Sequence, residues 1–214
     1  MIKAILFDMD GVLVDSEEFI CRAAMAMFRN RGLIVKAEDF IPFVGKGENA
    51  YIGGVAEKYS FPVDIEDVKS ETYYIYSEMV DGRLQPLPGV YDFINKAKDK
   101  GLKLAVATSA DMVKMKVNLK NIGLNENTFN ATLNGLEVER KKPFPDIFQL
   151  AAQKLNLKPE ECLVVEDAVS GVESAKAAGC KCLALQTSFT KEDLHKADWH
   201  SNTLADAPEE CLEW

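Results

Sequence analysis

The chain has 214 residues, 47% hydrophobic and 28% charged, the balance of a globular protein with room for one substantial core and a smaller insert. Its net charge of -9 and pI of about 4.9, without a basic cluster, exclude nucleic acid and anionic membrane surfaces as expected partners. No run reaches the ~20 apolar residues of a membrane span, the first residues already read as a strand, and five cysteines lack a framework spacing, so reduced thiols and a cytoplasmic location are expected.

Ile2 and Ala4 to Phe7 are apolar on both faces, the pattern of a strand in the middle of a parallel sheet. The run stops at Asp8-Met9-Asp10-Gly11. In open α/β sheets ligands bind beyond the carboxyl ends of the strands. Asp8 and Asp10 fall there, on one face of an extended chain. Carboxylates held that close repel unless a cation or a proton intervenes. Gly11 lets the backbone turn sharply away.

From Ser16 to Gly82 the chain reads as helical. Ser16, followed by Glu17 and Glu18, makes a helix start. Phe19, Ile20, Ala23, Ala24, Met27 and Phe28 form its apolar stripe, and Arg31-Gly32 ends it. Helices are expected over 49–59 and 65–79, with Gly45-Lys46-Gly47-Glu48 before the first of them. A turn-rich stretch over 81–89 leads out. Then helices and strands alternate: helix 90–100, strand 102–107 ending in Thr108-Ser109, helix 111–122, a short strand 129–133, helix 145–155, strand 162–165 ending in Glu166-Asp167, helix 169–178, strand 180–185, and an edge strand near 197–199. This alternation predicts an α/β fold with a parallel sheet and right-handed crossovers. Cys180 and Cys182 share one strand face, but no second pair of soft ligands makes them a metal site.

Polar groups therefore end three strands, and Lys141-Lys142-Pro143-Phe144-Pro145 precedes a helix. Asp8, Asp10, Glu166 and Asp167, brought together, need a divalent cation to coexist as anions. Oxygen-only ligands suit Mg2+, which keeps waters and leaves room for a phosphate.

In this order D-M-D-G-V-L-V-D-S, A-T-S, K-K-P-F-P-D-I-F and V-V-E-D-A-V-S-G-V resemble the motifs of the haloacid dehalogenase superfamily of aspartate-dependent phosphotransferases, across essentially the whole chain. The helical insert resembles the cap of the β-phosphoglucomutase-like, CbbY-type subgroup. The resemblance implies a Rossmann-like three-layer core over 1–15 and 83–214 and a small all-helical cap domain over 16–82. It implies an Mg2+-dependent enzyme working through an aspartyl phosphate. Asp8 is then the nucleophile and a metal ligand. Asp10 is the general acid and base, and its backbone carbonyl meets the metal. Thr108 and Lys142 hold the transferring phosphoryl group. Asp167 is a metal ligand, with Glu166 beside it in a ligating or supporting place.

The chain departs from the subgroup's mutase where that enzyme grips its sugar phosphate. Ile20 stands for a histidine, Glu48 for a cap arginine, and Ala110 and Asp111 for a serine and a lysine. The cap lysine expected near Thr72 is missing, although Lys69 is close. A mutase must hold two phosphates by cations, whereas Glu48 and Asp111 repel a distal one. The expectation is hydrolysis of a small phosphate monoester, a sugar phosphate or similar metabolite. β-Phosphoglucomutase activity is the alternative and an inactive binding protein the remote one. Gly45, Lys46 and Ser109 are candidate substrate contacts. The cap is expected to open and close on hinges near 14–16 and 81–86, and a monomer is assumed.

Overall fold

The computed structural model describes residues 1–44 and 47–214, and only the backbone of residue 126. Its six strands, β1 (Ala4–Phe7), β2 (Lys103–Ala107), β3 (Ala131–Leu133), β4 (Cys162–Glu166), β5 (Lys181–Leu185) and β6 (Trp199–Ser201), form one sheet in the order β3-β2-β1-β4-β5-β6. Every neighbouring pair is parallel. β1 lies in the middle, with Ile5 opposite Leu104 on one side and Leu163 on the other. All four of its residues are buried, which explains a run apolar on both faces.

The pleat sorts side chains into two layers. Ile5, Phe7, Leu104, Val106, Leu163 and Val165 face α4 (Val90–Asp99) and α5 (Met112–Asn121). Phe7 meets Phe93 and Phe129 edge-on, with ring centroids 6.1 and 6.4 Å apart. Ala4, Leu6, Ala105, Ala107 and Val164 face α6 (Asp146–Lys154) and α7 (Val169–Ala178). Cys162, Cys180 and Cys182 belong to this second layer as buried free thiols.

Between β1 and α4 the chain makes α1 (Glu17–Asn30), α2 (Glu48–Lys58) and α3 (Ile65–Val80), near the three expected spans. Arg31 ties the end of α1 to α3, donating to Glu71 at 2.8 Å and to Asp67 at 2.9 Å. The apolar layer beneath α4 and α5 continues through Leu13, Val14 and Ile20 into Phe28, Ile52 and Tyr76. The three-helix insert and the sheet therefore share one core. The chain returns beside its own exit, where Leu87 N–H donates to Leu13 C=O at 3.0 Å. No helix among the described residues is long and apolar enough to cross a membrane.

Two local expectations are corrected. Ser16 occupies the N-cap position of α1, but its side chain makes no cap bond. Its hydroxyl donates instead to the Asp10 carboxylate. The edge strand begins at Trp199, because the residue before it is engaged elsewhere. Asp198 accepts from Cys182 N–H at 2.9 Å and pairs with Lys176 and Lys181.

Candidate active site

Parallel pairing carries Asp8 one residue past β1, where its N–H donates to Val165 C=O at 2.9 Å. That places Asp8 beside Glu166 and Asp167 at the end of β4. The chain then folds back on itself, with Gly11 N–H donating to Val14 C=O at 2.7 Å. Gly11 has a φ of +75°, and a Cβ there would lie 1.9 Å from Asp167 Oδ2. Gly171 is closed to side chains in the same way, since a Cβ would lie 1.8 Å from Glu166 Oε1. Two glycines thus let carboxylates rest directly against backbone.

Asp8, Glu166 and Asp167 are all buried, and each offers a carboxylate oxygen within 4.8 Å of the others. Lys142 Nζ lies between two of them, 2.7 Å from Asp8 Oδ1 and 2.6 Å from Glu166 Oε1. Burial pushes the Asp8 carboxyl up to about 7; Lys142 pulls it down, and Glu166 and Asp10 push it further up. Burial, then Glu166 and Asp8, hold the Asp167 carboxyl well above the usual range. Burial works to lower the Lys142 ammonium value, but Asp8 and Glu166 outweigh it and raise it.

Three acids against one base leave a deficit of positive charge. The donors are all hard oxygens, and the two raised carboxyls are the groups a cation would ionise, so the set fits a divalent ion such as Mg2+. Glu166 is the most committed of the three. Its second oxygen accepts N–H groups of Asp167 at 2.9 Å and Ala168 at 3.0 Å. Its position suits a brace as well as a ligand. The loop after β5 closes the site from the other side. Ser188 donates to Asp167, and Thr187 donates to Gly11 C=O at 2.6 Å.

The Asp10 side chain stands outside this trio. Its carboxylate accepts from Ser16, from Lys114 Nζ at 2.9 Å and from Asn118 at 3.5 Å. It still borders the cavity that the trio opens into. Thr108 ends β2 with 1% exposure, its hydroxyl accepting Ala110 N–H at 3.1 Å. Ser109 lines the same cavity, and its carbonyl lies so close to Gly135 that a Cβ there would sit 2.1 Å away. Of the expected site residues, Asp8, Asp10, Thr108, Ser109, Lys142, Glu166 and Asp167 all border this one space of about 330 Å³. Gly45 and Lys46 lie outside the described residues.

The same cavity is also bounded by Glu17, Ile20, Phe43, Glu48, Tyr51 and Lys114. Tyr51 donates to Glu17 at 2.9 Å. Lys114 is 3.9 Å from Glu48 Oε1. Burial pushes the Glu48 carboxyl up to about 7, with Lys114 pulling it back. Glu48 Oε2 and the Tyr73 hydroxyl are buried without a hydrogen-bond partner. Asp111 is taken by Lys69 at 3.0 Å, and Lys69 also meets Glu66 at 3.0 Å and donates to Asn49 at 2.9 Å.

Lys114, Asn118 and Ser188 are site residues that the sequence reading missed. Lys114 and Asn118 had a signal: polar residues four apart beside Met115 and Leu119 on the inward side of a helix. Ser188 had none, since it lies in an irregular loop.

The description "Haloacid dehalogenase-like hydrolase" matches residues 5–185, and the chain belongs to that family. It is an enzyme of that family, in the subgroup of CbbY and β-phosphoglucomutase. It is similar to Protein CbbY of Rhodobacter capsulatus, 31% identical over 224 residues that span 99% of this chain and 97% of that protein. It is also similar to Protein SUPPRESSOR OF QUENCHING 1, chloroplastic, of Arabidopsis thaliana, 41% identical over 202 residues. That match covers 92% of this chain but 19% of the relative, so the chain spans about a fifth of that protein. Among solved structures it is similar to CbbY (mutant D10N) from Rhodobacter sphaeroides in complex with xylulose-(1,5)bisphosphate, with a TM-score of 0.86, 28% identity and 96% of each chain covered.

Proposed function

We propose that this chain is an Mg2+-dependent phosphatase that hydrolyses a small phosphate monoester, a sugar phosphate or similar metabolite, through an aspartyl phosphate on Asp8. The observation that carries this reading is the convergence of Asp8, Lys142, Glu166 and Asp167 with Thr108 on one cavity at the ends of three adjacent strands. For this reading residues 1–15 and 83–214 form the catalytic core and 16–82 the cap.

In the first half-reaction an Asp8 oxygen bonds to phosphorus as the bond to the alcohol oxygen breaks, and Asp10 gives that oxygen its proton. In the second, Asp10 takes a proton from water, the water oxygen bonds to phosphorus, and the bond to Asp8 breaks to release inorganic phosphate. One difficult displacement becomes two easier ones. Lys142, already on Asp8, and the Thr108 hydroxyl stabilise charge on the phosphoryl oxygens. Asp8 and Asp167, with Glu166 and the Asp10 carbonyl, would hold Mg2+, which neutralises the phosphoryl oxygens and keeps Asp8 ionised. Ser16, Lys114 and Asn118 orient Asp10.

Hydrolysis is favoured over the mutase reaction because Lys69 and Lys114, the buried lysines beside Asp111 and Glu48, are already paired with acids. Asp111 consumes Lys69, Asp10 consumes Lys114, and Glu48 lines the cavity. The test is turnover of p-nitrophenyl phosphate with and without Mg2+. Turnover is expected to need the metal and to fall by more than about 10³-fold in Asp8→Asn with an unchanged circular dichroism spectrum. Wild-type rates from Asp8→Asn, or turnover indifferent to Mg2+, would overturn the scheme.

A further inference from the structure

After β5 the chain runs through Gln186-Thr187-Ser188-Phe189 without regular structure. Both ends of this bend are fixed. Gln186 N–H donates to Ser201 C=O at 2.8 Å, beside the pairing of β5 with β6. Asp193 accepts from Thr190 N–H at 3.1 Å and from the Thr190 hydroxyl at 2.7 Å. Leu194 behind them is buried in the layer beneath α6 and α7. Between these anchors Thr187, Ser188 and Phe189 are carried to the wall of the cavity.

The two hydroxyls of the bend reach different parts of the site. Thr187 donates to Gly11 C=O at 2.6 Å, on the turn after β1. Ser188 donates to Asp167 Oδ2, just past the end of β4. One loop therefore ties together the two segments that carry Asp10 and Asp167.

The three buried carboxylates are not held alike. Asp8 Oδ1 and Glu166 Oε1 share Lys142, and Glu166 Oε2 takes two backbone N–H groups. The Asp167 carboxylate has Ser188 as its only hydrogen-bond donor among the described residues. Its Oδ2 also rests over Gly11, where a Cβ would lie 1.9 Å away. That contact bars one side without forming a bond. The last torsion of an aspartate is broad and two-fold, so contact alone leaves the carboxylate plane free to turn. A donor on one oxygen fixes the plane and leaves the other oxygen available.

We propose that Ser188 is a positioning residue of the cation site, turning the Asp167 carboxylate toward Asp8 and Glu166 before an ion arrives. This rests on the Mg2+-dependent reading and adds to it a residue that no strand end supplies. Thr187 supports Ser188 by pinning the loop to the Gly11 turn. Ser188 acts through Asp167, as donors behind metal ligands do when they set ligand orientation.

The test is calorimetric titration of Mg2+ into the metal-free full chain for wild type, Ser188→Ala and Ser188→Thr. Ser188→Ala is expected to bind Mg2+ about tenfold more weakly, and Ser188→Thr, which keeps the hydroxyl, to stay within about threefold of wild type. The Mg2+ concentration that half-saturates p-nitrophenyl phosphate turnover should rise in Ser188→Ala by the same factor. Melting curves with and without a fixed Mg2+ concentration give a second readout, because weaker binding shrinks the gain in Tm that the ion confers. A serine that only holds the loop would lower the metal-free Tm on replacement and leave that gain unchanged, which overturns the inference. Equal losses of affinity in Ser188→Ala and Ser188→Thr also overturn it, since the hydroxyl would then not be the cause. Wild-type affinity in Ser188→Ala overturns the inference alone. A wild type that takes up no Mg2+ overturns the cation reading and the inference with it.

Discussion

Glu48 destabilises the fold in a way that pH can expose. Burial holds its carboxyl at about 7 against an ordinary value of 4.5. Below about pH 4.5 the group is protonated both folded and unfolded and costs nothing. As pH rises from 4.5 toward 7 the unfolded chain releases this proton while the folded chain keeps it, so stability falls. Above about pH 7 the whole penalty stands. The interval from 4.5 to about 7, at about 1.4 kcal/mol per pH unit, makes it about 3 kcal/mol. Glu48→Gln has no proton to lose, and Lys114 keeps Asp10 as a partner in either protein. The stability of the variant relative to wild type is therefore expected to improve by about 3 kcal/mol between about pH 4 and pH 8. Urea unfolding followed by circular dichroism, without Mg2+ or substrate, measures it. A difference constant within about 0.5 kcal/mol across that range would refute the reasoning. It would mean that the carboxyl is as well solvated in the folded protein as in the unfolded one.

Two further outcomes follow from the acidic trio. Lys142→Met leaves Asp8 and Glu166 buried without their shared cation. In the absence of Mg2+ the unfolding free energy should drop by about 3–5 kcal/mol, and turnover should be lost even when the metal is restored. Unchanged stability would show that Lys142 is not the charge that keeps the two acids together. Gly11→Ala forces a methyl group into the place of Asp167 Oδ2, on a backbone with φ of +75°. Its Mg2+ affinity by calorimetric titration should fall at least about tenfold. An affinity equal to wild type would show that Asp167 is not positioned by this close approach.

The parts legible in the sequence are those where polarity changes abruptly. β1, β2 and β4 are apolar runs, and Asp8, Thr108 and Glu166-Asp167 are the first polar groups at or beyond the ends of those runs. α3 was legible from spacing alone, expected over 65–79 and found at Ile65–Val80. What stayed hidden depends on neighbours remote in sequence. Ser16 before two glutamates reads as an N-cap, but a carboxylate is a stronger partner for its hydroxyl than a backbone amide, and Asp10 is within reach. Asp111 read as a repulsive group facing substrate, yet it is neutralised by Lys69 from α3. Lys114 is a long side chain threading from α5 to an acid on the turn after β1. The helix face offers a cue to Lys114 itself but none to the acid it reaches.

Asp8, Thr108 and Asp167 follow three strands that run side by side in one direction and stop at the same edge. Their separation is then inherited from the backbone ladder and not from side-chain packing. Sequence drift in the outer helices can alter how firmly the sheet is clothed while the spacing among Asp8, Thr108 and Asp167 is preserved. The start of α2 hangs over that edge from a separate excursion of the chain, so exchanges there leave the ladder beneath intact.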